Sequence, residues 1–269
     1  MAAKKAQSPN KTKSQGAAKP KPTLGRLGGK IAVVTGGSSG IGYAIAQTLL
    51  PEGCTVIITG RNETKLAAAA NKLSSATGGE VIPHLCDVRE LYSVDALFDS
   101  VRTRFGRLDI LVNNAGISQA PTPVEQTSPE LWRDMIETNL TGMFLCVRAA
   151  LPLMSAGATI INNLSAAAKQ TFPNFAPYTA AKSGAYGLTR ALRDELMPRG
   201  IRVTALMPGA TSTDIWQQIM PDASHQGMMA VDTIAQAVLY TVLLPPEANL
   251  AELLITPTAG AVAARNTGE

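Results

Sequence analysis

The apolar run Ile31–Thr35 stops abruptly at Gly36-Gly37-Ser38-Ser39-Gly40-Ile41-Gly42, and a helical pattern, Ile41–Leu50, begins inside that cluster. A strand that passes through a tight glycine turn straight into a helix is the opening of a βαβ unit. The alternation then continues to the end of the chain. Strands are expected at Thr55–Thr59, Val81–Leu85, Ile110–Val112, Thr159–Leu164, Arg202–Met207 and Glu252–Thr256. Helices are expected at Glu63–Leu73, Leu91–Phe105, within Pro129–Leu153, and at Tyr178–Met197 and Val231–Leu244. Such a pattern predicts an α/β fold with a doubly wound parallel sheet covered by helices on both faces. Strands buried on both faces read as unbroken apolar runs, as these do. With 269 residues, 45% of them apolar, there is enough material for one core of this size, and neither a repeat nor a linker divides it.

Composition removes several function classes. The net charge of +4 originates in residues 1–30, which hold eight of the 24 Lys/Arg and no Asp/Glu; elsewhere 16 basic residues face 20 acidic ones. The body is therefore mildly acidic, and nucleic acid is not its expected partner. Residues 1–23, rich in Lys, Ala, Ser and Pro, read as a disordered basic tail. That tail is either a solubilising arm or a weak electrostatic contact for nucleic acid or membrane. It lacks the apolar stretch of a secretory signal. The folded domain is expected over 24–260, followed by a flexible C-terminus at 261–269. No run of about 18 apolar residues predicts a membrane span, and a cytoplasmic location is the expectation. Cys54, Cys86 and Cys146 are scattered and odd in number, and histidine occurs twice, so neither a disulfide framework nor a metal site is expected.

The glycine turn has its own chemistry. Gly36, Gly40 and Gly42 allow backbone to approach a pyrophosphate closely, and the N-terminus of the next helix, with Ile41 in its first turn, offers N–H groups to it. The spacing Gly-x-x-x-Gly-x-Gly differs from the commoner Gly-x-Gly-x-x-Gly, and no Gly-Lys-Ser/Thr follows, which excludes a Walker loop. The second strand ends Thr59-Gly60-Arg61. An acid at that strand end would bind the ribose hydroxyls of NAD; here its usual place falls on Gly60. Arg61 suits a 2′-phosphate, with Ser38 and Ser39 as further donors, so NADP is expected and NAD is the alternative.

Tyr178 and Lys182 stand four residues apart on one expected helix. Ser165 follows the fifth strand, Asn139 lies in Glu137-Thr138-Asn139-Leu140-Thr141-Gly142, and Asn113-Asn114-Ala115-Gly116 closes the fourth strand. These polar groups fall at strand C-termini, where open α/β sheets bind ligands. Taken with Thr35–Gly42 and Pro208-Gly209, the set resembles the short-chain dehydrogenase/reductase superfamily over roughly Lys30 to Gly260. The resemblance implies a single seven-stranded Rossmann domain, one nicotinamide cofactor, no metal and a homodimer or homotetramer. It implies Tyr178 as general acid/base, its pKa lowered by Lys182 and by the oxidised nicotinamide. Ser165 is implied as the partner of the substrate oxygen and Asn139 as the anchor of a proton-relaying water. Lys182 would also hold the nicotinamide ribose. Asp87, with Val88 beside it, resembles the residue that meets adenine, although Asp87 also reads as a helix N-cap. Asn113 and Ala115 would border the adenosine half, Asn113 also stabilising the sheet. Pro208, Gly209, Thr211 and Thr213 would line the nicotinamide.

The substrate loop is expected in Asp214–Ala230, with Trp216, Met220, Met228 and Met229 as an apolar lid or as ordinary helix packing. Phe172, Phe175 and Pro177 are candidates for the same pocket, which suits a small-molecule carbonyl or alcohol of apolar character. The ending Leu253–Gly260 lacks the Asp-Gly-Gly of acyl-carrier-protein reductases and resembles relatives acting on hydroxy acids or broad carbonyls. A hydride-transferring oxidoreductase is thus expected. A nucleotide-binding regulatory protein without catalysis is the alternative from another class.

Overall fold

The computed structural model describes residues 25–221 and 225–258; the tail expected at 1–23 and the terminus expected at 261–269 lie outside the described residues. Seven strands, β1 (Ile31–Val34), β2 (Thr55–Gly60), β3 (Val81–Leu85), β4 (Ile110–Asn113), β5 (Thr159–Asn163), β6 (Arg202–Pro208) and β7 (Glu252–Ile255), form one sheet in the order β3-β2-β1-β4-β5-β6-β7. Every pairing is parallel. Between the strands run α1 (Gly40–Leu49), α2 (Glu63–Thr77), α3 (Leu91–Phe105), α4 (Pro129–Ile136), α5 (Gly142–Ala150), α6 (Ala176–Leu196), α7 (Ile215–Ile219) and α8 (Val231–Val242).

The alternation of side chains along each strand explains the two layers. Ala32 and Val34 pack with Ile45 and Leu49 of α1, Leu66 and Leu73 of α2, and Ile234 and Val238 of α8. Ile31 and Val33 face the other way, against Leu97 and Phe98 of α3, Val147 of α5 and Leu196 of α6. Both faces are dry, which is why the strands show no polar alternation. From β1 the chain first moves outward through β2 and β3, then returns to place β4 on the opposite side of β1. The crevice at this switch point opens at the C-terminal ends of β1 and β4.

Three elements depart from the sequence reading. The stretch expected to hold one long helix is α4, a π-turn over Glu137–Thr141, then α5. The side chain of Asn139 donates from Nδ2 to the Met135 carbonyl, 3.1 Å away, in the segment where the regular ladder widens. Helix α2 continues past Leu73 to Thr77 and ends only where Gly78 adopts φ 67°. Helix α7 falls in the stretch read as either a lid or helix packing and had no expected bounds, because five residues are too few to show a period. Among the described residues no helix is long and apolar enough to cross a membrane.

Candidate active site

One cleft of about 1130 Å³ runs along the C-terminal edge of the sheet, from Arg61 past the glycine turn to Tyr178 and on to Trp216. Its floor is set by Thr35, the residue after β1. Backbone N–H groups of Asn114 and Ala115 donate to Thr35 Oγ1 at 2.9 and 3.0 Å, which joins the turn after β1 to the turn after β4. Gly36 has φ +64°, and a Cβ there would lie 3.0 Å from the Ala115 Cα. Gly42, expected to face the ligand, lies outside the cleft lining. A Cβ on it would stand 2.4 Å from both the Gly36 carbonyl oxygen and Asn114 Nδ2, so its glycine serves the packing of α1 under the turn. Gly36, Ser38, Ser39, Gly40 and Ile41 line the cleft. Ser39 begins α1 without a side-chain capping bond, leaving its hydroxyl and the helix N–H groups directed to the ligand end.

At the end of β2, Thr59, Gly60 and Arg61 line the cleft. Ser38 Oγ lies 3.2 Å from where a Gly60 side chain would begin, so the serine occupies the space an acid would need. Arg61 is exposed and makes no ion pair among the described residues. Asp87 and Val88 also line this end. Arg89 grips the Asp87 carboxylate with Nε at 3.0 Å and Nη2 at 2.7 Å. This contact holds the carboxyl below its usual range. The N-cap of α3 is Glu90, so Asp87 does not cap it, and the adenine contact expected of Asp87 must share its oxygens with Arg89.

Asn113 corrects the expectation. It is 3% exposed and inside the sheet, and it does not border the cleft. As the last residue of β4 it donates from Nδ2 to Asn162 Oδ1 at 2.9 Å, and Asn162 donates to Thr189 Oγ1 of α6 at 2.9 Å. A second chain runs beside it. Asn163 donates to Asn114 Oδ1 at 2.8 Å, and Asn114 donates to the Thr35 carbonyl at 3.0 Å. Asn114, Ala115, Gly116 and Asn163 line the cleft. Sequence reasoning quoted Thr35 and Asn114 only as members of motifs, without a role, and passed over Asn163. The signal was present: two asparagines in the otherwise apolar β5 must find buried partners.

Tyr178 and Lys182 lie on α6, whose first turn is set by Pro177. Pro177 itself is buried in the helix start and lies outside the cleft lining. Ser165, just beyond β5, accepts at Oγ from the Ala167 N–H at 3.1 Å. The Ser165 side chain also acts on the Tyr178 phenol, favouring its ionised form. Lys182, 5% exposed, donates to the Asn163 carbonyl at 3.3 Å. Its Nζ lies 5.6 Å from the centre of the Tyr178 ring. Burial lowers its pKa to about 8. Among the protein groups, desolvation pushes the phenol up and only the Ser165 side chain opposes this, so the lowering expected from Lys182 is not seen and the hydroxyl stays protonated at neutral pH.

Asn139 is 1% exposed; its Oδ1 accepts from the Ile117 N–H at 3.2 Å and its Nδ2 donates to the Ile117 carbonyl at 3.0 Å. A Cβ on Gly116 would lie 2.8 Å from Asn139 Oδ1 and 3.5 Å from Lys182 Nζ, so only glycine lets these two groups approach from either side. The Asn139 side chain thus holds this loop in place. Pro208, Gly209, Thr211 and Thr213 all line the cleft, as do Phe172, Phe175, Trp216 and Met220. Met228 and Met229 do not. The Met229 N–H donates to the Ala210 carbonyl at 3.0 Å, and its side chain joins the core beside α8. Among the described residues no cluster of His, Cys, Asp or Glu could hold a metal ion.

A family profile described as short chain dehydrogenase matches residues 30–224. The chain belongs to the short chain dehydrogenase family. That family consists of NAD(P)-dependent oxidoreductases, and its members include a 3beta-hydroxysteroid dehydrogenase of Mediterraneibacter gnavus. This relative is 38% identical over 74% of this chain and 72% of its own. Sulfoacetaldehyde reductase 2 of Chromohalobacter salexigens is 33% identical over 85% and 94% of the two chains. Among solved structures, an alcohol dehydrogenase from Thermococcus sibiricus complexed with 5-hydroxy-NADP superimposes with a TM-score of 0.79 at 31% identity, covering 85% of this chain and 97% of the other. These short-chain dehydrogenases share the seven-stranded Rossmann-like architecture described above.

Proposed function

We propose that this short-chain dehydrogenase is an NADP(H)-dependent reductase of ketones and aldehydes, which runs in reverse as a secondary-alcohol dehydrogenase. The observation that supports this most strongly is the joining, in one cleft, of Ser165, Tyr178 and Lys182 with a glycine cradle beside which β2 ends in Gly60 and Arg61, with no acid at that strand end. The cradle fits a dinucleotide: Gly36 and Gly40 have φ +64° and +54°, and the open N-terminus of α1 faces the space they leave. Arg61 would meet the 2′-phosphate. When bound, the nicotinamide supplies or takes the hydride.

The residues of the chain manage the proton. In reduction, Tyr178 Oη hydrogen-bonds the carbonyl oxygen and transfers its proton as negative charge grows there. Ser165 Oγ donates to the same oxygen and so stabilises that charge. The phenolate left behind gains from the Lys182 ammonium under its ring. Asn139 and Gly116 keep the space beside Lys182 shaped for this. The raised phenol pKa favours the acid form, which is the form reduction requires.

Two measurements test the reading. In fluorescence titrations NADPH should bind at least about tenfold tighter than NADH, through the charge-assisted contact with Arg61. Equal affinities would defeat the assignment of Arg61, and binding of neither would defeat the enzyme reading. The second is a pH profile of reduction at saturating NADPH. Lys182 has its pKa lowered to about 8, so the ammonium is present below that value and lost as pH rises through it. The rate should hold through neutral pH, reach about half near 8 and fall beyond it. A profile flat to pH 10 would separate Lys182 from the proton transfer.

A further inference from the structure

The half of the cleft beyond Tyr178 has an unusual charge pattern. Its walls include Ile117, Phe172, Phe175, Trp216 and Met220. The Trp216 indole is fixed as a wall, because its Nε1 donates to the Thr211 carbonyl at 2.8 Å. The segments that build this half contain almost no cations. The sequence has no Lys or Arg from Leu108 to Trp132 and none from Val203 to Ala264. The third segment, between β5 and α6, has Lys169 alone, and that residue is ion-paired with Glu252 outside the cleft lining. Lys182 lies under the phenol, and Arg61 belongs to the opposite end. Among the described residues, the one charged group lining the substrate half is Asp214. It is exposed, it precedes α7 without a side-chain capping bond, and no ion pair neutralises it among the described residues.

Resting on the oxidoreductase reading above, we infer that the substrate is an uncharged, lipophilic ketone or secondary alcohol, and that Asp214 is a specificity residue that turns anionic substrates away. An anion entering this half would lose hydration without gaining a counter-ion, and would meet a like charge. Keto acids, hydroxy acids and phosphorylated carbonyls are therefore excluded by charge, while flat apolar rings meet Phe172, Phe175 and Trp216.

Three ketones of matched shape test this at pH 7: methyl 4-acetylbenzoate, 4-acetylbenzamide and 4-acetylbenzoate. The first two are neutral and the third is an anion, so the amide separates charge from size. With NADPH the neutral pair should show kcat/KM about 30-fold above the carboxylate. Asp214→Lys should narrow the gap between amide and carboxylate about tenfold. Carboxylate turnover within threefold of the amide would overturn the inference, as would a gap that Asp214→Lys leaves in place. Calorimetric titration of the three compounds into the NADPH-loaded protein reads the same order without chemistry. Binding of the neutral pair over the carboxylate, with no turnover of any of the three, would count against the oxidoreductase reading and support the charge selection. Equal binding of all three would refute the selection alone.

Discussion

Tyr178→Phe is expected to bind NADPH as the parent does and to reduce ketones about a thousandfold more slowly, within the range that a positioned general acid contributes. The substitution removes one oxygen. The phenyl ring keeps its place on α6 and its stacking beside the Lys182 ammonium, 5.6 Å from the ring centre. The proton source disappears. The alkoxide formed on hydride arrival would then have Ser165 alone, and a serine hydroxyl is too weak an acid to protonate it quickly. Single-turnover rates and NADPH titrations of the same preparation separate the two effects. A variant that reduces ketones at the parental rate would eliminate the proposed mechanism, whereas one that also loses NADPH would point to a misfolded cleft.

Arg61→Ala should weaken NADPH about 10- to 150-fold and leave NADH within about twofold. The loss corresponds to roughly 1.5–3 kcal/mol for hydrogen bonds to a charged group. The selectivity of the effect matters more than its size. Arg61 is exposed at the end of β2 and makes no ion pair among the described residues, so its removal leaves no buried charge unpaired and does not disturb the sheet. Only the ligand bearing the extra phosphate should feel the change. Raising ionic strength should shrink the difference, because the contact is open to solvent. Parallel losses for both cofactors would mean that Arg61 shapes the adenosine pocket in general and does not read the phosphate.

The sheet was legible because its strands are buried on both sides. Continuous runs such as Ile31–Val34 and Ile110–Val112 have no other economical use between glycine turns. The cofactor turn and the Tyr178–Lys182 pair were legible for a different reason: each is local, with its spacing written in a few residues. What the sequence concealed is contact between distant segments. Nothing near Asn113 distinguishes it from Asn114, yet the pleat sends the first into the sheet and leaves the second at the cleft. Nothing near Asp87 announces that Arg89 will hold it from two residues away. For the phenol, the spacing to Lys182 suggested charge stabilisation, while the packing that desolvates both groups appears only in three dimensions. Met228 and Met229 matched the composition of a lid, yet neither lines the cleft, and Met229 packs against the core beside α8.

The two asparagine chains across β4 and β5 have a bearing on how such an enzyme could change its diet. They tie Thr35, Asn114, Asn163 and Lys182 together through hydrogen bonds made within the protein, so the nucleotide half needs little ordering when its ligand arrives. The opposite half rests on Trp216 and its neighbours in the segment after β6, which is tied to the neighbouring loop through Met229 and His225 and not to β4 or β5 by such a chain among the described residues. A substitution there can reshape the entrance while the reactive proton and the nucleotide keep their geometry. New carbonyl preferences should therefore arise by exchanges around residues 214–220, with nucleotide affinity as the property that stays constant.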